Sequence, residues 1–147
     1  FEVGEGLVKL VDDYGHHPAE ILVTLRVAQK RAKKNLHVVF QPHRFTRTEK
    51  LWDDFVAVFA SMAHDYAIKT LLITDIYPAS EAPIPGVTAE RLVAAIKQAN
   101  QGLQVQYVAD FYKLADGVRS VVHEGDLVLT LGAGKLNQLA DALVVAP

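Results

Sequence analysis

The sequence predicts a three-layer α/β domain: a mostly parallel sheet with helices on both faces and an antiparallel hairpin strand at its N-terminal end. Three observations predict it. Short apolar runs rich in β-branched residues alternate with helical patterns roughly five times along the chain. Half of the 147 residues are hydrophobic, enough for a sizeable core in one domain. Turn and cap residues stand where each run ends.

Phe1–Val3 and Leu7–Val11 flank Gly4-Glu5-Gly6, a hairpin signal, so the first strand pair is expected to be antiparallel. Pro18 suits the first turn of a helix, where its missing N–H costs nothing, and Glu20 adds a favourable charge there. Ile21, Leu25, Ala28 and Ala32 recur at helical spacing and mark the buried face. Lys30, Arg31, Lys33 and Lys34 crowd the far end and read as a solvated helix terminus. Leu36–Phe40 reads as a buried strand, residues 41–48 as a loop, and Thr48 as the cap of a helix with inner stripe Leu51, Phe55, Val58 and Met62.

Leu71–Thr74 reads as a strand ending at Asp75. Pro78, Pro83 and Pro85 stiffen the loop that follows, Tyr77 to Gly86. Thr88 caps a helix carrying Leu92, Ala95, Ile96 and Ala99, closed at Gly102. Val105–Val108 is a strand, and Asp110 caps a helix with Leu114, Val118 and Val121 that ends near Gly125. Leu127–Leu131 is the last strand, Gly132-Ala133-Gly134 the turn after it, and Leu136, Leu139, Ala140 and Leu143 the final helix.

Composition excludes several classes. The formal net charge of −2 argues against a nucleic-acid binder, which shows a basic footprint. The absence of cysteine excludes disulfides, thiolate zinc sites and a cysteine nucleophile, and suits the cytoplasm. No apolar run approaches membrane-spanning length and no signal peptide is visible. The chain opens on Phe1-Glu2-Val3, without an initiator Met and in strand-like sequence. A single domain over residues 1–147, cut from a longer protein, is therefore expected.

Four expected strand ends carry chemistry: Asp13 to His17, His43 to Arg47, Tyr77 to Glu81, and Gly132 to Gly134. In a parallel sheet all four face the same edge, where open α/β sheets bind ligands. Asp13 can accept hydrogen bonds from sugar hydroxyls or hold a cation; it can equally cap the following helix. His16 and His17 can transfer protons or orient a ligand, but adjacent side chains rarely share a metal, so no metal site is expected. Arg44 and Arg47 carry guanidinium forks that match carboxylate or phosphate, backed by the dipole of the helix after Thr48. The Gly132–Gly134 turn lacks the third glycine of a dinucleotide fingerprint and is not a P-loop, since Leu129 and Leu136 stand at two of its required positions.

Taken together, Asp13-Tyr14-Gly15-His16-His17-Pro18, Phe40 to Thr48, Tyr77 to Gly86 and Gly132 to Gly134 resemble the C-terminal domain of the Mur ligases. The second and third segments are similar to the alanine-adding branch. The resemblance implies a Rossmann-like fold. It also implies an ATP- and Mg2+-dependent ligation, in the bacterial cytoplasm, of L-alanine to UDP-N-acetylmuramate through an acyl phosphate. Asp13 then looks like the ribose-contacting carboxylate, with Tyr14 nearby. His16 resembles the histidine beside the incoming amino acid, and Arg44 and Arg47 the basic pair facing its carboxylate and the reacting phosphate. ATP and Mg2+ would be held mainly by a central domain, and the nucleotide sugar by an N-terminal one. Neither lies in these residues, so the chain alone is expected to be inactive.

A phosphorelay receiver is the rival from another class, since Asp12-Asp13 and Asp75 fall near the right strand ends. Against it, a Pro-rich loop follows Asp75, and glycine rather than lysine follows the last strand. A non-catalytic binding module of the same fold class is the other alternative.

Overall fold

The computed structural model describes residues 2–3, 6–65 and 68–144. Five parallel strands form its sheet: β3 (Lys9–Asp13), β4 (Leu36–Phe40), β5 (Ile68–Ile73), β6 (Gln104–Tyr107) and β7 (Leu127–Leu131), in the order β3-β7-β4-β5-β6. Every residue of β4 and β7 is buried, as strands covered on both faces require. One face packs under α1 (Pro18–Arg31), α3 (Trp52–Asp65) and α4 (Ala89–Ala99), through Ile21, Leu25, Phe55, Phe59, Leu92 and Ile96. The other packs under α5 (Leu114–Val121) and α6 (Leu136–Val144), through Leu114, Val118, Leu136 and Leu139. Val38 and Phe40 point to the first face and Val39 to the second, the two-residue alternation of a strand. Phe40 lies between the rings of Phe55 and Phe59, at 5.5 and 4.9 Å.

The sheet itself holds no antiparallel strand, which corrects the expected hairpin. Among the described residues, antiparallel pairing is confined to a two-residue ladder of β1 (Glu2–Val3) with β2 (Gly6–Leu7), apart from the sheet. Its turn residues Gly4 and Glu5 lie outside the described residues. Val8 is buried, and the chain then enters the sheet at Lys9, parallel to β7. Lys9–Asp13 rather than Leu7–Val11 is therefore the first sheet strand.

Pro18 does open α1, but the cap is His17: its Nδ1 accepts from the Ala19 N–H at 3.2 Å while its own N–H reaches Glu20 Oε1 at 3.1 Å. Thr88 caps α4 by accepting from the Arg91 N–H. Thr48 is not a cap. A short helix, α2 (Phe45–Lys50), begins earlier, and Thr48 is buried inside it with its hydroxyl donating to the Arg44 carbonyl at 2.8 Å. Nor does Gly102 close α4; Asn100 is the C-cap, and its amide donates to the Ala60 carbonyl.

Strand order also separates the fold from its rival. The last strand, β7, lies between the first two in sequence, β3 and β4. A receiver places its second strand outside its first, so the receiver reading is dropped.

A buried polar clip ties the amino ends of three strands. His37 on β4 donates from Nε2 to Asp126 Oδ2 at 2.8 Å, and its Nδ1 meets the Thr70 hydroxyl on β5. Asp126, just before β7, also accepts the backbone N–H groups of Asn35 and His123. Burial by itself would raise the Asp126 carboxyl. The His37 hydrogen bond, the two backbone N–H groups and the His37 charge offset that and hold it below the usual carboxylate range.

Two predictions follow from these local features. Because the folded Asp126 binds its proton at lower pH than the unfolded chain, its stabilisation is complete above the ordinary carboxylate value of about 3.9. It is lost as the pH falls through the lower folded value. Asp126→Asn should cost roughly 3 kcal/mol near neutral pH and flatten that acid limb, read by urea unfolding at a series of pH values; an unchanged limb would refute the clip. The second concerns the turn Pro78–Glu81, closed by the Glu81 N–H on the Pro78 carbonyl at 3.0 Å. Its central residues Ala79 and Ser80 sit at φ +50° and +71°, where a side chain is strained. Ser80→Gly should raise stability by about 1 kcal/mol in the same assay; a loss would contradict the strain.

Candidate functional site

Chain crossings create a crevice at the carboxyl edge of the sheet. β4 leads into α2 and α3, β7 leads into α6, and α3 and α6 lie on opposite faces although β4 and β7 are neighbours. Loops that part in this way leave the opening at which α/β sheets take ligands. Gln41, the residue after β4, spans it. Its backbone N–H donates to the Leu131 carbonyl at 3.0 Å, its side-chain oxygen accepts from the Lys135 N–H at 2.9 Å, and its side-chain amide faces the Asp75 carbonyl at 3.4 Å. Gly134 packs against this amide so closely that a Cβ would lie 2.5 Å from Gln41 Oε1 and 2.8 Å from Tyr77 Cγ. The glycine turn is therefore a close approach of backbone to Gln41 and Tyr77.

Asp13 closes β3. Its carboxylate accepts from the Gly15 N–H at 2.7 Å and the Thr24 hydroxyl at 3.4 Å, and its carbonyl accepts from the Gly132 N–H. A carboxylate offers about four lone-pair positions, so roughly half remain for a further donor. Beside it the Tyr14 ring is 72% exposed. His16 Nδ1 lies 3.1 Å from the Tyr14 carbonyl, which can only accept, so in the neutral ring Nδ1 carries the proton and Nε2 presents a lone pair. Asp12 accepts the Thr130 hydroxyl at 2.5 Å, a bond across to β7.

The loop after β4 supplies the cations. His43 and Tyr77 form an isolated parallel bridge between the loops after β4 and β5, with the Arg44 N–H on the Tyr77 carbonyl and the Tyr77 N–H on the Pro42 carbonyl, both 2.8 Å. That bridge holds Arg44 at φ +71° and leaves its guanidinium exposed at the start of α2. Arg47, one turn on, reaches back with Nη1 to His43 Nδ1 at 3.0 Å. The His43 ring is stacked on Tyr77 (centroids 5.6 Å apart, 14° between planes) and lies 5.7 Å from His16. Burial, then the charges of Arg47, His16 and Arg44, lower the His43 pKa below the ordinary histidine value; Glu81 opposes them only in part.

Asp13, Tyr14, His16, Arg44 and Arg47 thus occupy one rim of the sheet, drawn from two strand ends far apart in sequence. The expected helix dipole behind Thr48 is absent as such. α2 has only six residues, and the Glu81 carboxylate already takes the Thr46 N–H at 3.1 Å and the Thr46 hydroxyl at 2.6 Å. These bonds hold the Glu81 pKa below its ordinary value. His17 serves as a helix cap. Sequence reasoning passed over Gln41 and His43 as individual residues. A glutamine directly after a buried strand, and a histidine four residues before an arginine, were the available signals.

Among the described residues, no group of three or more His, Asp or Glu side chains could hold a metal ion. Asp13 keeps lone pairs for a further donor and the Tyr14 side chain is exposed beside it, while the sequence contains no P-loop.

A family model described as Mur ligase, glutamate ligase domain, matches residues 1–134. The UDP-N-acetylmuramate–L-alanine ligase of Geotalea daltonii is 51% identical over 137 residues, which cover 93% of this chain and 28% of that protein. The chain spans less than a third of the length of the curated relatives it matches. The solved structure of the UDP-N-acetylmuramate-alanine ligase of Thermotoga maritima shares the fold at a TM-score of 0.70 and 21% identity, over 98% of this chain and 27% of that one. A murein peptide ligase of Psychrobacter arcticus does so at 0.70 and 17%, over 93% and 27%. With the match running over most of its length, the chain belongs to the Mur ligase family through that family's glutamate ligase domain.

Proposed function

We propose that this chain is the C-terminal, amino-acid-binding domain of an ATP-dependent ligase that joins L-alanine to UDP-N-acetylmuramate in peptidoglycan precursor synthesis, in the bacterial cytoplasm. The names of relatives at 45–51% identity support the substrate. The observation that carries the reading is the shared carboxyl rim: Arg47 bonded to His43, His43 5.7 Å from the His16 ring with its free lone pair, Arg44 at the same loop, and the half-used carboxylate of Asp13 at the end of β3.

Each group has a task that its chemistry allows. Arg44 and Arg47 hold the alanine carboxylate, for which planar forks are the matched donors. Held there, the amine is free and aimed, and His16 Nε2 is the acceptor for the proton that the ammonium form must lose before it can attack. The same cations lie near the negative charge that grows as the muramate carboxyl is attacked. Asp13 accepts ribose hydroxyls of ATP, with Tyr14 alongside. ATP supplies the activation of the muramate carboxyl, and Mg2+ and the phosphates fall to the central domain of the parent protein. No nucleic acid or membrane partner is assigned; among the described residues no helix is long and apolar enough to cross a membrane.

Two outcomes test this. The 147-residue chain, given UDP-N-acetylmuramate, L-alanine, ATP and Mg2+, should release no ADP, while titration of the isotope-labelled chain with L-alanine should shift resonances of the rim loops only. Shifts spread over the opposite edge, or saturation at low micromolar alanine, would contradict the assignment. In the parent ligase, Arg47→Ala and Arg44→Ala should each raise the KM for L-alanine by roughly tenfold to a hundredfold; an unchanged KM in both would refute the carboxylate site.

A further inference from the structure

We infer that His43 is a positioning residue: its neutral imidazole accepts a hydrogen bond from Arg47 and so fixes the guanidinium that receives the amino-acid carboxylate. The identity of that anion rests on the function proposed above; the contact itself does not.

A guanidinium only donates, so at 3.0 Å the His43 Nδ1 must be the acceptor and the ring proton must sit on Nε2. Among the described residues, the one other anchor of the Arg47 side chain is the His43 carbonyl at 3.5 Å, at the limit of a useful bond. The imidazole is therefore what sets the direction of the fork. It is itself held firmly. Main-chain bonds at Pro42 and Arg44 clamp the backbone on either side of it to Tyr77, and the Tyr77 ring lies flat against it. The four-residue spacing brings Arg47 back over His43, the residue ahead of the helix's cap Arg44.

The charges around His43 favour the neutral form. Arg47 on α2, Arg44 at its cap and His16 on the loop before α1 all face it, against the single carboxylate of Glu81 from the loop after β5; Tyr77 faces it uncharged. Protonating Nδ1 would set N–H against N–H, free the arginine side chain to regain its rotamers, and put a third cation beside the pair. Arg47 should thus be ordered at neutral pH and released as the pH falls below the ordinary histidine value of about 6.5. The sign follows from a lowered pKa: the ordered arrangement belongs to the high-pH side.

The test uses the labelled 147-residue chain and the parent ligase. Long-range proton–nitrogen spectra should show His43 Nδ1 unprotonated at neutral pH, with slowly rotating Arg47 guanidinium resonances. Those resonances should average out on acidification in step with His43 titration. They should average at all pH values in His43→Ala and stay resolved, without the acid step, in His43→Asn, whose side-chain carbonyl can replace the Nδ1 acceptor. In the parent ligase His43→Ala should raise the KM for L-alanine about tenfold, with a smaller fall in kcat, and His43→Asn should recover most of the loss. A proton on Nδ1 at neutral pH, or Arg47 resonances indifferent to His43→Ala, would overturn the proposal. If the contact is found but the KM for L-alanine stays the same in His43→Ala, the contact has no positioning role. If wild-type chain shows no alanine shifts at all, the functional reading fails, and the nitrogen spectra still decide the contact.

Discussion

Gln41 joins the ends of three strands, and the rim depends on it. Its backbone and side chain together engage Leu131, Lys135 and Asp75, which are the closing residues of β7, the start of the approach to α6, and the exit from β5. Two bonds from the buried side-chain amide and one from the backbone N–H are kept only if all three ends hold their places. Gly134 shows the tightness of the fit, since even a methyl group would overlap the amide oxygen. Tyr77, fixed from one side by this packing, is the surface on which His43 stacks from the other. Order thus passes from a buried amide, through an aromatic ring, to the cations that face solvent.

That chain of contacts explains a division of labour between the two edges of the sheet. The amino edge is closed by the His37, Thr70 and Asp126 clip, which is buried and satisfied and offers nothing to a ligand. The carboxyl edge keeps capacity in reserve: lone pairs on Asp13 and His16, donors on Arg44 and Arg47. Polar groups at the first edge stabilise the fold; those at the second stay available for partners outside it. Tyr107 and Asp75 belong to the first kind although they sit at the carboxyl end, for their mutual hydrogen bond, with burial and the Asp75 charge, pushes the tyrosine up to about 12.

Much of this was legible before any coordinates. Leu36–Phe40 and Leu127–Leu131 are compact, mostly apolar runs and are strands with those bounds, because strands covered on both faces need no alternation to recognise. Asp13, Tyr14, His16, Arg44 and Arg47 were placed at strand ends, and parallel pairing then put them on one rim. The errors have physical causes. Thr48 has the chemistry of a cap, but its hydroxyl can also bond back to the carbonyl four residues earlier, and it does so inside α2. The hairpin signal before Leu7 agrees with the antiparallel pairing of Glu2–Val3 with Gly6–Leu7, but it does not say which strand joins the sheet. The role of Gln41 depends on Lys135, 94 residues away, and the placing of His43 depends on Tyr77 from the next strand's loop, and no local pattern encodes either; only the four-residue spacing of His43 and Arg47 was local.

A crystal structure of the parent ligase with L-alanine and a non-hydrolysable ATP analogue would test the central claim most directly. The account predicts the alanine carboxylate within hydrogen-bonding distance of Arg44 and Arg47, its nitrogen towards His16 Nε2, and the ribose hydroxyls on Asp13. An amino acid seated instead at the Gly132–Lys135 turn, with Arg44 and Arg47 turned to solvent, would contradict it.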